Sequence, residues 1–206
     1  MICDKCPRLY NFIEKNKEKY PDFFNGPVPN FGEIDGQLLI VGLAPGLKGA
    51  NRTGRPFTGD YAGIILYKTL LKFGWANGQY LERADDGLKL KNALITNAVA
   101  CVPPENKPLP CEINMCNERL NVTIQSMKNL RFILCLGHIS HQAVLKALQL
   151  KQKDYPFAHG NVHHLPNNVW LFDSYHCSRY NINTRQLTQE MFDSIFEKIN
   201  HIMISC

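Results

Sequence analysis

Four cysteines stand at spacings that could bind a metal. Cys3 and Cys6 form a C-x-x-C pair near the start of the chain, and Cys101 and Cys116 flank a proline-rich loop. Four thiolates are the number that an iron–sulfur cluster takes, and a tetrahedral zinc ion would use the same set. A redox-active C-x-x-C pair is the remaining alternative, but it lacks thioredoxin-like surroundings here. The pattern therefore favours a metal centre, although Cys111 in the same loop could compete for one ligand position.

A second chemical feature is the run LLIVGLAPGLKGANRTGRPFTGD at 38–60, in which an apolar segment opens into a glycine-rich loop. A phosphate-binding loop of the nucleotide hydrolases needs Lys followed by Ser or Thr, whereas Lys48 is followed by Gly49. A dinucleotide-binding fingerprint needs G-x-G-x-x-G opening into a helix, and the residues from Gly42 to Gly49 do not provide it. The loop is therefore expected to hold another kind of ligand, or to be a long loop without one.

The segments around these residues alternate between strand and helix patterns. Short apolar runs predict four buried strands: 38–41, 93–101, 131–137 and 169–176. Helical periodicity predicts five helices: 1–20, 61–75, 111–130, 138–150 and 187–204. This alternation predicts an α/β fold, a three-layer α/β/α sandwich around a mostly parallel sheet, and the length favours one domain over 1–206.

Ligands of such sheets bind outside the carboxyl ends of the strands. Three segments should meet there: the glycine loop after Val41, the turn from Asn97 to Cys101, and the polar segment SYHCSRYN after Phe172. The functional site is therefore expected at this edge of the sheet.

Three motifs follow one another along the chain: GLAPGLKGANRTGRPFTGD, TNAVACVPPENKP and SYHCSRYNINTRQLT. Together they resemble the motifs of the uracil-DNA glycosylase superfamily, in its iron–sulfur branch, family 5 (type b). The resemblance runs nearly end to end and implies an enzyme that flips uracil out of DNA and hydrolyses its N-glycosidic bond, leaving an abasic site. It also implies a [4Fe–4S] cluster on Cys3, Cys6, Cys101 and Cys116, which matches the family's register better than Cys111 does, with zinc as the alternative.

Base recognition is the first role that the resemblance implies for particular residues. Phe57 would stack on the flipped uracil, and the amide of Asn97 would match uracil O4 and N3–H, whereas cytosine presents the reversed pattern. Phe57 could instead be a core side chain, and Asn97 could merely close a turn after a strand. The first motif would form the rest of the base pocket: Gly42, Ala44, Pro45 and Gly46.

Catalysis is the second implied role, and it falls on His176 and Asp60. His176 would donate a hydrogen bond to uracil O2 and stabilise the departing anion, with His159 as a second candidate. Many superfamily members carry an acidic or amide residue just after the first glycine of motif one, where this chain has Leu43. Asp60 would position the attacking water instead, or it would cap the following helix, and both roles remain open. No lysine occupies a matching position for Schiff-base chemistry, so water is the expected nucleophile.

The third motif is expected to face DNA through Ser178, Arg179, Tyr180 and Asn181. Arg179 or Tyr180 would fill the gap left by the flipped base, or would contact the phosphate backbone. Cys177 stands where the superfamily often has proline, which puts the rigidity of this loop in question. The apolar first motif has few groups to exclude other bases, so hypoxanthine and some modified cytosines are also expected substrates.

Composition bears on partners and location. The chain has 206 residues and a net charge of +5, which suits an anionic partner such as uracil-containing DNA. No run approaches the roughly 18 apolar residues of a membrane span, and the N-terminus lacks an apolar signal core. We therefore expect a soluble monomer of the cytoplasm, associated with the nucleoid, without a membrane partner. The alternative class is a metal-stapled nucleic-acid-binding protein without glycosylase activity, which would have no reason to keep Phe57, Asn97 and His176 in order.

Overall fold

The fold is built on a six-stranded sheet with helices on both faces. The computed structural model describes residues 3–205. Its strands are β1 (Phe31–Gly32), β2 (Leu38–Gly42), β3 (Ala76–Asn77), β4 (Lys89–Leu90), β5 (Ala93–Asn97), β6 (Phe132–Leu136), β7 (Val162–Leu165) and β8 (Val169–Ser174). Its α-helices are α1 (Pro7–Lys19), α2 (Ala50–Thr53), α3 (Tyr61–Lys72), α4 (Pro110–Ser126), α5 (His138–Ala147), α6 (Arg179–Asn183) and α7 (Gln189–Ser205).

The strand order in the sheet is β1-β5-β2-β6-β8-β7. The four central strands are parallel, and β1 and β7 are added antiparallel at the two edges. Strands β3 and β4 form a separate antiparallel pair. The predicted three-layer α/β sandwich with a mostly parallel sheet is confirmed.

Alternate residues of the central strands pack into two cores. In β2, Leu38 and Ile40 belong to the core formed with α3 and α7, whereas Leu39 and Val41 belong to the core formed with α4 and α5. All five residues of β2 are buried, as expected for a strand covered on both faces. The burial fixes the strand ends in space, which fixes the loops that follow them.

The differences from the predicted elements are confined to edges and ends. Strand β5 ends at Asn97, so 98–101 is not strand, and its apolar residues are buried under the N-terminal segment instead. The short elements β1, β3, β4, β7, α2 and α6 were not predicted, because two to five residues give no clear periodicity. Helix α1 begins at Pro7, a residue that favours the first turn of a helix, and Cys3 and Cys6 precede it. Within residues 3–205, no helix is long and apolar enough to cross a bilayer.

Candidate active site

A cavity of about 500 Å³ opens at the carboxyl ends of β2, β5 and β8. It collects residues from all three motifs and from the loop before α4. Its lining includes Leu43, Ala44, Pro45, Gly46, Phe57, Asp60, Tyr61, Asn97, Asn106, His176, Ser178 and Arg179. Of the residues expected at the site, Gly42 lies behind the wall, and Tyr180 and Asn181 lie outside the lining.

Asn97 lies in the cavity wall because β5 ends there. It pairs with Gly42 in the parallel ladder between β2 and β5. A methyl group on Gly42 would overlap Asn97 Oδ1 and would lie 2.5 Å from Phe57 Cζ, so only glycine leaves room for both side chains. The side chain of Asn97 is buried, and its amide has no hydrogen-bond partner among residues 3–205. Its donor and acceptor are therefore available to a ligand.

Phe57 is buried in the cavity wall with a backbone φ of +54°, a conformation that is costly for a bulky residue. Two phenols hold this turn in place. Tyr67 Oη donates to the Pro56 carbonyl at 2.6 Å, and Tyr80 Oη donates to the Phe57 carbonyl at 3.1 Å. Burial raises the pKa of Tyr80 to about 12, so its hydroxyl keeps the proton that it donates. The backbone that positions the Phe57 ring is therefore held by two hydrogen bonds within the protein.

An ion pair behind this turn supports the same geometry. The Arg55 guanidinium is bidentate to Asp86, with both N–O distances 2.8 Å, and both side chains are almost fully buried. Arg55 also lies within 6 Å of the ring centres of Phe31, Tyr67 and Tyr80. The loop that contains Tyr80 and Asp86 is thus tied to the turn that contains Phe57.

His176 follows β8, and its ring lies 6.1 Å from the Phe57 ring at an interplanar angle of 28°. Its backbone is held by Asn181, whose Nδ2 donates to the His176 carbonyl at 2.8 Å. Burial lowers the pKa of His176 to about 4, so the ring is neutral near pH 7. Neither ring nitrogen has a hydrogen-bond partner among residues 3–205. A neutral imidazole has one N–H donor, which can face a ligand oxygen.

His159 lies outside the cavity lining and has a different contact. Its Nδ1 accepts a hydrogen bond from the Tyr175 backbone N–H at 3.2 Å. This contact fixes the residue immediately before His176, as the Asn181 amide fixes His176 itself. The side chains of His159 and Asn181 therefore support the backbone at His176.

Asp60 both caps a helix and faces the cavity. Its Oδ1 accepts from the Gly63 N–H at 3.2 Å, which makes it the N-cap of α3. Its Oδ2 faces Gly46 and Gly49 on the glycine loop. Burial raises its pKa, against the lowering effect of the backbone N–H donors. The two roles left open by the sequence are thus geometrically compatible.

Asn106 is a lining residue that the sequence reading did not single out. A methyl group on Gly46 would lie 3.5 Å from Asp60 Oδ2 and 4.0 Å from Asn106 Oδ1, so the two oxygens flank one point in the cavity. The backbone of Asn106 has φ of +57°, and asparagine is among the few residues that tolerate this region. Its position in VPPENKP, where prolines interrupt the strand and α-helix patterns, was the available signal.

The rim of the cavity is formed by the segment after His176. Ser178 Oγ accepts from the Asn181 N–H and caps α6, and the Arg179 guanidinium lies 5.3 Å from the centre of the Tyr61 ring. Tyr180 is 74% exposed. Cys177 is fully buried, and its Sγ donates to the Ala62 carbonyl at 3.5 Å, so this loop is anchored to α3 without a proline.

Comparison with known proteins assigns the chain to a family. The model of the uracil DNA glycosylase superfamily matches residues 29–200. The chain belongs to this superfamily. It is 40% identical over 195 residues to a type-5 uracil-DNA glycosylase of Thermus thermophilus, covering 92% of this chain and 89% of the relative. It is 36% identical to a type-5 enzyme of Pyrobaculum aerophilum over 95% and 87%. A type-4 uracil-DNA glycosylase of Archaeoglobus fulgidus is 27% identical over 98% and 88%.

This member of the superfamily also contains a cavity of about 120 Å³ lined by Cys3, Cys6, Cys101 and Cys116. Burial and the three neighbouring thiols raise the pKa of Cys101 to about 12, so that its thiolate is unstable without a bound cation. Cys111 is exposed and lies outside this lining, in a surface pocket that it shares with Cys6 and Glu112. The residues fit the predicted set of four ligands and leave Cys111 outside it.

This protein has a second group of possible metal ligands, which is fully buried. It consists of Cys135, His141 and Asp173, whose ligand atoms lie within 4.8 Å of one another. His141 Nδ1 lies 2.7 Å from Asp173 Oδ1, and His141 Nε2 lies 2.9 Å from the Tyr155 carbonyl. The histidine and the carboxylate are therefore already joined directly by a hydrogen bond.

Proposed function

We propose that the chain is a monofunctional uracil-DNA glycosylase that flips uracil out of DNA, hydrolyses its N-glycosidic bond with water and leaves an abasic site. The observation that supports this most strongly is the pairing of two unpartnered side chains, the buried Asn97 and the half-buried His176, in the wall of one cavity with Phe57. Buried polar groups normally find partners within the protein, so this pair favours a ligand with complementary polar atoms.

In the proposed complex, uracil stacks on Phe57, and Asn97 pairs with its O4 and N3–H. Gly42, Ala44, Pro45 and Gly46 form the wall around it. Cytosine has a donor where uracil has O4, so it would place two donors against each other at Asn97. The fixed turn of Phe57 means that little ordering remains to be done when the base enters.

The proposed catalytic step is loss of uracil as an anion whose O2 accepts a hydrogen bond from the His176 N–H. Because the ring is neutral near pH 7, it donates through its single N–H and keeps that proton. Asp60 Oδ2, with Asn106 across the cavity, would hold the water that attacks C1′. Asp60 Oδ1 would keep its hydrogen bond from the Gly63 N–H, which holds the carboxylate in place while Oδ2 binds the water.

Contact with DNA is proposed for the segment 178–181. Tyr180 projects into solvent and is suited to enter the gap left by the flipped base, whereas Arg179 at the rim is suited to a phosphate. Ser178 and Asn181 would act mainly by shaping α6 and holding His176. One chain forms the whole pocket, which supports a monomer acting on uracil-containing DNA.

A [4Fe–4S] cluster on Cys3, Cys6, Cys101 and Cys116 is proposed as a structural staple, with zinc as the alternative. Bound there, the metal centre would join the segment before α1 to the loop after β5 and to α4. The lining of the cysteine cavity shares no residue with that of the base pocket, and the proposal assigns the metal centre no redox step.

The test uses oligonucleotides with one deoxyuridine, opposite guanine and unpaired, followed by alkali cleavage of abasic sites. We expect strand cleavage by wild type and a loss of about 10² to 10³ in single-turnover rate for His176→Ala. His201→Ala, which changes an exposed histidine on α7, is the control and should retain full activity. A wild-type protein that binds the DNA and holds its metal but never cleaves would instead support the binding-protein alternative.

A wider substrate range is also proposed, because the cavity of about 500 Å³ is larger than a single pyrimidine needs and its first motif is apolar. Release of hypoxanthine from deoxyinosine, and of some modified cytosines, is the expected result in the same assay. Equal exclusion of every base other than uracil would refute it.

A further inference from the structure

Arg119 lies on α4 between the cysteine cavity and the base pocket. It lines the cavity formed by the four cysteines, one helical turn after Cys116. From there its Nη1 donates to the Asn97 carbonyl and to Thr96 Oγ1, both at 3.3 Å. The same side chain therefore contacts the surroundings of the metal site and the end of the strand that positions Asn97.

The guanidinium has no negatively charged partner among residues 3–205. Its remaining hydrogen bonds go from Nη2 to Asn30 Oδ1 at 2.6 Å and to the Val28 carbonyl at 3.4 Å. All four acceptors are neutral oxygens. The side chain is only partly exposed, and a cation withdrawn from water without a counter-charge is unfavourable.

The other two cations near this metal site are already neutralised. Lys5 is paired with Glu118 at 2.9 Å, and Arg8 is paired with Glu112 at 2.9 Å. Four thiolates carry more negative charge than a zinc ion or an oxidised cubane core carries positive charge, so a filled site is negative overall. Arg119 is the nearby cation left without a carboxylate in the described chain.

We infer that Arg119 is a positioning residue with two separable roles: its charge stabilises the thiolate-bound metal, and its planar fork fixes the end of β5 and thus the Asn97 amide. This rests on the proposed function, in that it takes the four cysteines as metal ligands and Asn97 as the base-recognising residue. A metal centre without a redox step would thereby still influence recognition of the base.

The two roles predict different behaviour for two substitutions. Arg119→Met removes both the charge and the fork. Arg119→Lys keeps the charge, but an ammonium group cannot reproduce the fork that contacts two strand-end oxygens together with Asn30. Lys5→Met is the matched control, because Lys5 lines the same cavity but is exposed and paired with Glu118.

The experiment measures two quantities on each purified metal-loaded protein. The first is the rate of metal loss to a strong chelator, followed by visible absorbance and by iron, sulfide and zinc content. The second is the single-turnover rate of uracil excision, alongside the DNA dissociation constant. Loss of an outer-sphere partner typically weakens metal binding about 10- to 100-fold, and we expect Arg119→Met to lose its metal faster by a factor of this size. Arg119→Lys and Lys5→Met should lose metal at a rate close to that of wild type.

We expect both Arg119 variants to excise uracil more slowly while binding DNA normally, because the Asn97 amide is misplaced but the DNA-facing rim is intact. Arg119→Met that holds its metal as wild type does would overturn the charge role, and Arg119→Lys with wild-type excision would overturn the fork role. If Arg119→Met does not fold, Arg119→Gln provides the neutral variant. A wild-type protein without metal, or without excision, would refute the proposed function itself and is recognised before any variant is compared.

Discussion

Gly42→Ala tests whether the base pocket depends on the crowding at the end of β2. The added methyl carbon would lie 2.5 Å from Phe57 Cζ and would overlap Asn97 Oδ1. Carbon atoms make favourable contact at about 3.5 to 4.0 Å, so the ring must move by about 1 Å, and the amide must also give way. Displacements of this size in a reactive geometry can cost about 10²-fold in rate. Because β2 is fully buried and Gly42 is paired with Asn97 itself, a backbone shift at Gly42 is a costly way to relieve the overlap.

The assay is single-turnover excision from a duplex with one deoxyuridine opposite guanine, with DNA affinity measured in parallel. We expect a loss of about 10²-fold in rate with little change in affinity, since the methyl group is remote from the rim. Gly26→Ala is the matched control, because it is the same chemical change where the nearest atom, 3.2 Å away, belongs to the exposed side chain of Phe24. Excision by Gly42→Ala within about twofold of wild type would refute the assigned roles of Phe57 and Asn97, since a change of that size reflects under 1 kcal/mol.

Three further predictions concern Asp60, the cysteines and acid stability. Asp60→Asn keeps an N-cap oxygen, so it should retain the wild-type free energy of unfolding but lose uracil excision. Asp60→Ala should lose excision and also about 1 kcal/mol of unfolding free energy in denaturant titrations. Wild-type activity of Asp60→Asn would show that Asp60 serves only as the helix cap. Cys116→Ser should lose bound metal and Cys111→Ser should keep it, as measured by iron, sulfide and zinc content. The reverse result would show that Cys111, rather than Cys116, is the fourth ligand. The pKa of His176 falls from 6.5 to about 4 on folding, so the unfolded chain binds the extra proton and the free energy of unfolding should fall as pH is lowered from about 6.5 to 4. His176→Asn should reduce this fall, and an unchanged pH dependence would contradict the lowered pKa of His176.

The sheet and the location of the pocket could be predicted because both follow from local pattern. Buried parallel strands give continuous apolar runs, and their carboxyl ends lie at one edge of the sheet, so Asn97 and His176 could be placed at that edge from the sequence alone. The same pattern overextended β5 to residue 101. Val99 and Ala100 are apolar because they line the cysteine cavity, and apolar character alone does not distinguish burial in a sheet from burial in a loop.

The supporting residues could not be predicted, since their roles depend on contacts between distant segments. Tyr80 contacts the Phe57 carbonyl across 23 positions, and Arg119 contacts the Asn97 carbonyl across 22. Nothing in the local sequence of either residue indicates a partner. Asn106 was overlooked for another reason, because its place in the cavity depends on a loop with positive φ at two successive residues, which is set by packing.

The distribution of satisfied and unsatisfied polar groups explains how such a chain can hold a reactive geometry. Behind the pocket, Tyr67, Tyr80 and Asn181 each donate to a backbone carbonyl next to a recognition residue or belonging to one. At the pocket surface, Asn97 and His176 have no such partner among residues 3–205. The strain of Phe57 and the partial burial of a histidine without a partner are costs that the supporting hydrogen bonds offset. These supporting hydrogen bonds are already formed before a base binds. A base with the matching edge can therefore pair with the free polar atoms of Asn97 and His176, whereas a mismatched base leaves them without a partner.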